Sequence, residues 1–320
     1  MYSFIFERCE DRKQLFRHIM QTIPRIISHN TVEWPLTKGK SFGFTVARLD
    51  LLHPFISGNK YFKLKYNLAE ANEHNKQGII TMGGAYSNHL AATAFACDEQ
   101  GMSSVGIVRG EVIEPLNPTL SFCRKHNMKL ISVRREDYAS NSEAVQKIIQ
   151  QHSNLFFVPE GGNNEPGMKG CQEILQRIPG ADEFTHIICS IGTGTTFKGI
   201  ASAANASQTV IGVPALKIKT DEQEQFILQH TAVPSAAKQI VLFEFAGKGY
   251  ARTDEELINF MNSFYTKTSI PTDIVYTGKL MQAVIALAEQ SYFPDNSKLL
   301  VIHSGGLQGN NSLPSGTLLF

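Results

Sequence analysis

The feature of this sequence that most constrains its fold is a repeated alternation between short apolar runs and segments with a helical pattern. From residue 78, the strand-like runs GIITMGG, SVGIVRG, MKLISVRR and LFFVPEGG alternate with the helical patterns SNHLAATAFACDEQG, NPTLSFCRKHN and NSEAVQKIIQQ. The alternation resumes with THIICSIG, GTTFKGIASAAN and TVIGVPAL, and KLLVIHSGG follows later. Strands that are apolar along their whole length are typical of parallel sheets covered on both faces. The pattern therefore predicts an α/β protein with two open parallel-sheet domains and helices on both faces of each.

The length of the chain also favours two domains, because 320 residues exceed what one small core organises. The larger predicted domain combines residues 1–66 with 180–320, and the smaller one covers 67–179. The first 35 residues are expected to form a helix plus loop.

Composition excludes several classes of function. The formal net charge is +1, from 30 Lys and Arg against 29 Asp and Glu, and no basic stripe suggests a nucleic-acid partner. The five cysteines are scattered without C-x-x-C spacing, which predicts neither a metal site nor a disulfide framework. No secretion signal opens the chain, and no apolar run is long enough to cross a bilayer, so we expect a cytoplasmic protein with no membrane partner.

Four loops rich in Gly, Ser, Thr and Asn follow predicted strands, where open parallel sheets bind ligands. They are Gly83–His89, Glu160–Gly167, Gly192–Gly199 and His303–Gly306. The third opens a helix, whose free N–H groups favour a phosphate. A dinucleotide is an alternative, although Lys217 lies where that fold needs an acidic residue, and tight packing without a ligand is another.

Two further segments suit chemistry on an amino acid. Lys60 follows a Ser-Gly-Asn turn and precedes Lys63 and Lys65, which fits either a solvated helix start or a lysine with a covalent or anionic partner. Ser87 and Asn88 begin another helix, as an ordinary N-cap or as a site for a carboxylate. A phosphate site, a carboxylate site and a lysine between domains together form the arrangement that a pyridoxal-phosphate enzyme needs.

The chain resembles the fold-type II pyridoxal-phosphate enzymes, in the branch of 1-aminocyclopropane-1-carboxylate (ACC) deaminase and D-cysteine desulfhydrase. The motifs RLDLLHPFISGNKYFKLKY, GGAYSNHLAATA, EGGNNEPGMKG, GTGTTFKG, VYTGK and HSGG occur in the family's order over roughly residues 45–310. The resemblance implies a tryptophan synthase beta-like fold, with pyridoxal 5'-phosphate in the cleft between the domains. It also implies that the larger domain binds the cofactor and that the protein is a homodimer.

The resemblance also implies roles for individual residues. Lys60 would hold the cofactor aldehyde as a Schiff base, and nearby cations would lower the pKa of its amine. Ser87, Tyr250 and Tyr276 would lie at the substrate and act in catalysis. The expected substrate-binding residues are Ser87, Asn88 and His89. The expected cofactor-binding residues are Asn59, Lys60, Lys63, Gly192, Thr193, Gly194, Thr195, Thr196, Thr277 and Ser304.

Two positions favour the desulfhydrase side of the branch. Thr277 replaces the glutamate that faces the pyridine nitrogen in the deaminases, and Ser304 replaces a leucine. A hydroxyl does not force protonation of that nitrogen, which suits elimination of a good leaving group better than opening of an unactivated ring. We therefore expect α,β-elimination from a small amino acid such as D-cysteine, giving pyruvate, ammonia and sulfide.

Three departures from the family pattern keep other functions open. Phe62 and Ala91 replace arginines, and Tyr86 replaces a glutamine. Phe62 and Ala91 motivate one alternative, a cofactor-binding homologue with little catalysis, and all three changes leave the substrate open. ACC deaminase is the other alternative within the family. A nicotinamide dehydrogenase is the alternative from another enzyme class.

Overall fold

The computed structural model describes residues 23–320 and contains two sheets. The larger sheet has six strands in the order β1-β2-β10-β7-β8-β9. Its strands are β1 (His29–Pro35), β2 (Ser41–Arg48), β7 (His186–Ile191), β8 (Thr209–Pro214), β9 (Lys238–Val241) and β10 (Leu299–His303). All neighbours pair in parallel except β1 and β2, which form an antiparallel hairpin.

The smaller sheet has four parallel strands in the order β5-β4-β3-β6. They are β3 (Gly78–Gly84), β4 (Ser103–Arg109), β5 (Met128–Val133) and β6 (Phe156–Val158). These strands lie where the sequence pattern predicted them, and the predicted α/β class with two parallel-rich sheets is confirmed.

Helices connect the strands of both sheets. In the described part of the chain they are α1 (Asn59–Glu73), α2 (Asn88–Asp98), α3 (Pro118–Lys125), α4 (Glu143–Gln151), α5 (Glu165–Gln176), α6 (Thr195–Ala203), α7 (Gln223–His230), α8 (Glu255–Thr268) and α9 (Thr277–Glu289). Over residues 23–320 no helix has both the length and the apolarity to cross a bilayer, and no group of acidic, His and Cys side chains is arranged to hold a metal ion.

The expectation of helix plus loop for the first 35 residues is wrong for its last part, because residues 29–35 form the edge strand β1; residues 1–22 lie outside the described residues. Val32 and Trp34 are buried while their neighbours are exposed, which is the period-2 pattern of a strand with one covered face. Trp34 stacks on Phe264 of α8 at 5.6 Å between ring centroids.

Close helix packing brings the two sheets' elements together around the site. A Cβ on Gly170 of α5 would lie 1.8 Å from the carbonyl oxygen of Phe62 in α1, and a Cβ on Gly199 of α6 would lie 2.4 Å from the Cβ of Cys171. Only glycine allows such an approach. The predicted domain division stays a prediction, and α1 runs without interruption across its boundary at residues 66–67.

Candidate active site

A cavity of about 350 Å³ lies at the carboxyl ends of strands from both sheets. Most of the residues predicted for the site line it: Asn59, Lys60, Lys63, Ser87, Asn88, His89, Gly192, Thr193, Gly194, Thr196, Tyr250, Tyr276 and Ser304. Thr195 and Thr277 are outside the lining. The structure thus brings together residues that are up to 245 positions apart in the chain, from Asn59 to Ser304.

Lys60 lies in the first turn of α1, where backbone contacts fix the start of the helix. Gly58 precedes the helix with φ +67°, and a Cβ there would lie 1.8 Å from the carbonyl oxygen of Ser304. The Lys60 amine donates a hydrogen bond to Asn59 Oδ1 at 2.6 Å. Burial lowers the pKa of Lys60 to about 7, with the charge of Lys63 as the second cause. Desolvation therefore contributes more than the neighbouring cation on which the sequence argument relied.

The other two lysines of the cluster have different environments. Lys63 is buried, and its amine forms no hydrogen bond or ion pair with any residue from 23 to 320. Burial lowers the pKa of Lys63. Lys65 points away from the cavity and pairs with Glu173 at 2.5 Å. Of these two side chains, only Lys63 is placed to receive an anion in the cavity.

The turn from Gly192 to Thr196 leads into α6. Gly194 has φ +87°, and a Cβ there would lie 1.9 Å from a backbone oxygen of His230, so the turn requires glycine. Asn59 Nδ2 donates to Thr196 Oγ1 at 2.8 Å, which links the Lys60 amine to this turn through one side-chain amide. Thr195 Oγ1 instead donates to Asn163 Oδ1 at 3.1 Å, consistent with its place outside the lining.

Ser87 and Asn88 begin α2 and retain hydrogen-bond donors on the cavity side of the helix. Ser87 Oγ accepts from the backbone N–H groups of His89 and Leu90, both at 3.2 Å, as an N-cap. Asn88 Oδ1 accepts from the backbone N–H of Gln308 at 3.1 Å. The Ser87 hydroxyl proton and the Asn88 amide N–H groups can therefore be donated to a carboxylate.

The hydrogen bonds of His89 hold its ring in one neutral tautomer, which the sequence did not predict. Thr81 Oγ1 donates to the carbonyl of Val158 at 2.7 Å, so it accepts from His89 Nε2–H at 2.9 Å. Burial, together with Lys60 and Lys63, lowers the pKa of His89 well below its usual value. The ring is neutral and its buried Nδ1, without a partner among the described residues, is an acceptor. This tautomer leaves no donor for a carboxylate, which does not fit the predicted role.

Tyr276 and Tyr250 form the tyrosine pair of the site. The Tyr276 hydroxyl donates to that of Tyr250 at 3.5 Å, and burial raises the pKa of Tyr276 well above 10. Tyr276 therefore keeps its proton at neutral pH and can serve as a hydrogen-bond donor.

Asp273 anchors the segment that carries Tyr276. This buried carboxylate accepts hydrogen bonds from the backbone N–H groups of residues 275–277 and from the Thr277 hydroxyl at 2.8 Å. The Thr277 hydroxyl also accepts from the Asp273 N–H at 2.7 Å. The Thr277 hydroxyl is therefore taken up by Asp273 at the start of α9. Of the two hydroxyls that the sequence singled out for the cofactor ring, Thr277 and Ser304, only that of Ser304 lines the cavity.

The structure also locates the departures from the family pattern. Phe62 is fully buried and Ala91 is 2% exposed, and both lie in apolar clusters outside the lining. Their substitution for arginine therefore changes core positions. Tyr86, at 37% exposure, lines the cavity and narrows it.

Sequence reasoning missed two charged residues of the lining, Arg109 and Glu160. Arg109 ends β4, and Glu160 lies two residues after β6. The available signal was their position at the carboxyl ends of predicted strands, where ligands bind. Glu160 lay inside one of the four loops that were singled out, but no role was inferred for it.

Comparison with known proteins agrees with this geometry. The family described as "Pyridoxal-phosphate dependent enzyme" matches residues 36–305. An Arabidopsis thaliana protein named "Bifunctional D-cysteine desulfhydrase/1-aminocyclopropane-1-carboxylate deaminase, mitochondrial" is 29% identical, covering 82% of this chain and 72% of its own. A Klebsiella pneumoniae (strain 342) "D-cysteine desulfhydrase" is 26% identical, covering 78% and 83%. A crystal structure of an "ACC deaminase homologue" superposes with a TM-score of 0.70 at 21% identity, covering 90% of this chain and 91% of the other, and so has the same fold.

Proposed function

The chain belongs to the family of pyridoxal-phosphate dependent enzymes, and we propose that it is a lyase that catalyses α,β-elimination from a small amino acid, of the D-cysteine desulfhydrase type. Its products would be pyruvate, ammonia and sulfide. One observation carries the proposal: the Asn59 side chain joins the low-pKa amine of Lys60 to Thr196 in the glycine-threonine turn. The names of the Klebsiella and Arabidopsis relatives support this choice of reaction.

The lining residues fit the cofactor. Lys60 would bind the aldehyde covalently, and the turn at Gly192–Thr196 with the N-terminus of α6 would hold the phosphate. Lys63, buried without an anionic partner among the described residues, would neutralise part of its charge. Glycines keep the space open, since a Cβ on Gly161 would lie 2.9 Å from Thr193 and one on Gly192 would lie 3.0 Å from the Tyr276 ring. When bound, the cofactor supplies an electron sink for the bond cleaved at Cα.

The pKa shifts give Lys60 and Tyr276 different roles. Because the pKa of Lys60 is lowered to about 7, its amine is substantially unprotonated at neutral pH and can take the substrate's Cα proton. Because the pKa of Tyr276 is raised, its hydroxyl stays protonated, and it can turn its O–H from Tyr250 to the departing sulfur and donate a hydrogen bond there. Ser87 and Asn88 would orient the substrate carboxylate. Tyr250, as the acceptor for Tyr276, would hold the donor hydroxyl in place.

ACC deamination is the second candidate, and the Arabidopsis relative's name includes both activities. The hydroxyl of Ser304 on the cavity, in place of the deaminases' leucine, favours elimination. The substitutions of Phe62 and Ala91 support loss of catalysis less than the sequence suggested, since both residues are buried away from the cavity.

The test is to load the purified protein with pyridoxal phosphate and offer D-cysteine, L-cysteine, β-chloroalanine and ACC. We expect pyruvate from D-cysteine, and we expect Lys60→Ala to lower its rate by at least about 1,000-fold, since base and covalent anchor are both lost. Lys65→Arg is the matched control, because it lies on the same helix and keeps the Glu173 ion pair. Release of α-ketobutyrate from ACC as the main reaction would favour the deaminase. Formation of neither keto acid from any of these compounds would overturn the proposal.

We also propose that the protein works as a cytoplasmic homodimer. The described cysteines, Cys97, Cys123, Cys171 and Cys189, are free and buried, which suits a reducing compartment. Leu51 and Phe55 expose 58% and 47% of their surface, which suits burial against a second copy. Sedimentation equilibrium giving only the 35.5 kDa monomer at micromolar concentration would rule out the dimer.

A further inference from the structure

Arg109 is a charged residue of the cavity that neither the cofactor nor the proposed proton transfers use. Its guanidinium lies 5.4 Å from the Tyr138 ring centroid, and its Nη2 lies 3.5 Å from where a Cβ on Gly84 would be. This position is beside the loop that carries Tyr86 and Ser87 at the end of β3. The Arg109 side chain forms no ion pair or hydrogen bond with any other described residue. The guanidinium is half-buried against an aromatic ring, and its N–H groups remain free to donate to an anion.

Glu160 brings the opposite charge to the same cavity. Both side chains line the same cavity beside Tyr138, and the pKa of the Glu160 carboxyl is raised by burial and lowered by the charge of Arg109 and by the Tyr138 hydroxyl. They nevertheless do not approach within the 4.0 Å of an ion pair. Two opposite charges that line one cavity without pairing with each other can both pair with a group bound between them, and leaving partly buried charges unpaired is unfavourable.

We propose that Arg109 and Glu160 bind the distal end of the substrate, and that this end is a second amino-acid head carrying both a carboxylate and an ammonium group. Arg109 binds the carboxylate through its forked N–H groups, and Glu160 binds the ammonium. The substrate class is then an amino acid whose β-carbon is joined through sulfur to another amino acid. This inference deepens the proposed function and rests on it, because cysteine alone leaves both side chains without an oppositely charged partner among the described residues.

The elimination balances without any additional oxidant or reductant. Lys60 takes the Cα proton, the bond between Cβ and sulfur breaks, and its electron pair leaves with sulfur as the thiolate of the departing amino acid. The Lys60 ammonium gives this proton to the thiolate, which becomes a thiol, so the amine returns to its starting state. Water then hydrolyses the remaining three-carbon fragment to pyruvate and ammonia, so one thioether and one water give one thiol-containing amino acid, pyruvate and ammonia.

The direct test is calorimetric binding of three compounds that have no leaving group, each as separate stereoisomers, to the cofactor-loaded protein. The compounds are 2-aminoheptanoate, 2-aminoheptanedioate and 2,6-diaminoheptanedioate, which add the distal carboxylate and then the distal amine to one seven-carbon chain. We expect the carboxylate to tighten binding by about 10- to 100-fold, and the amine to tighten it by about 10-fold more, as charge-assisted contacts do. Arg109→Ala should abolish the first gain, and Glu160→Gln should abolish the second.

Arg124→Ala is the matched control, because this exposed arginine pairs with Glu114 and lies away from the cavity. It should keep both gains. Equal affinity of wild-type protein for the three compounds, or a carboxylate preference that survives Arg109→Ala, would overturn the inference. Since binding is measured without turnover, the result is separate from the proposed reaction. Pyruvate from D-cysteine with no distal preference defeats only this inference, whereas an Arg109-dependent preference without pyruvate from any sulfur compound defeats only the reaction.

Discussion

The depressed pKa of Lys60 predicts that the amine destabilises the cofactor-free fold. The pKa falls from 10.5 to about 7, a difference of about 3.5 pH units, and at about 1.36 kcal/mol per unit this corresponds to at most about 5 kcal/mol. Water that enters the cavity hydrates the amine and reduces this value. Between these two pKa values the unfolded chain binds a proton at Lys60 that the folded chain does not, so the free energy of unfolding rises with pH across that window.

Lys60→Met removes this penalty and keeps a side chain of similar length. In urea unfolding of cofactor-free protein, we expect the variant to be more stable than wild type by up to about 4 kcal/mol at pH 7 and about 2 kcal/mol at pH 9, because the penalty fades as pH approaches 10.5. Lys147→Met, at an exposed position on α4, should show no such pH-dependent gain. A Lys60→Met variant that is no more stable, or whose advantage does not decline with pH, would refute the reasoning.

Three other changes have defined outcomes. Lys63→Met removes the second cause of the low pKa of Lys60, so the pH midpoint for acetylation of Lys60, followed by mass spectrometry, should move upward from about 7; an unchanged midpoint would show that burial acts alone. Gly170→Ala places a Cβ against α1 and should lower the free energy of unfolding by about 3 kcal/mol, whereas a neutral result would mean that α5 can shift. Lys279→Met removes the donor to the carbonyls of residues 246 and 249, so amide exchange in the loop before Tyr250 should quicken by about 10-fold with α1 unaffected; unaltered exchange in that loop would contradict the anchoring role.

The sequence pattern predicted most of the elements that carry the site, because their signals are local. An apolar run followed by glycines marks β3, β6, β7 and β10 with their ligand-binding loops, and the predicted N-cap at Ser87 is present. β1 was missed because its period-2 signal consists of only two buried residues, Val32 and Trp34, in a polar segment. Its partner β2 was not recognised either, so no pairing was expected.

The roles of individual side chains were harder to predict, because they depend on contacts between distant segments. Thr277 faces Asp273 rather than the cavity, and the tautomer of His89 is set by a hydrogen bond from Thr81 to the backbone of β6. Arg109 and Glu160 are 51 positions apart in the chain, and they line the same cavity because β4 and β6 flank β3 in the sheet. No local pattern contains this neighbourhood, and it follows from the strand order alone.

The uninterrupted course of α1 has a mechanical consequence. With 15 residues, this helix is about 22 Å long. If it tilts by about 10° about its C-terminal end, its N-terminal near end moves by about 4 Å. Lys60 sits at the near end, in the first turn. A small tilt of α1 against α5 would therefore be amplified at the amine. The close contact of Gly170 with Phe62, two residues from Lys60, restrains this end of the helix and so holds the reactive nitrogen near the turn from Gly192 to Thr196.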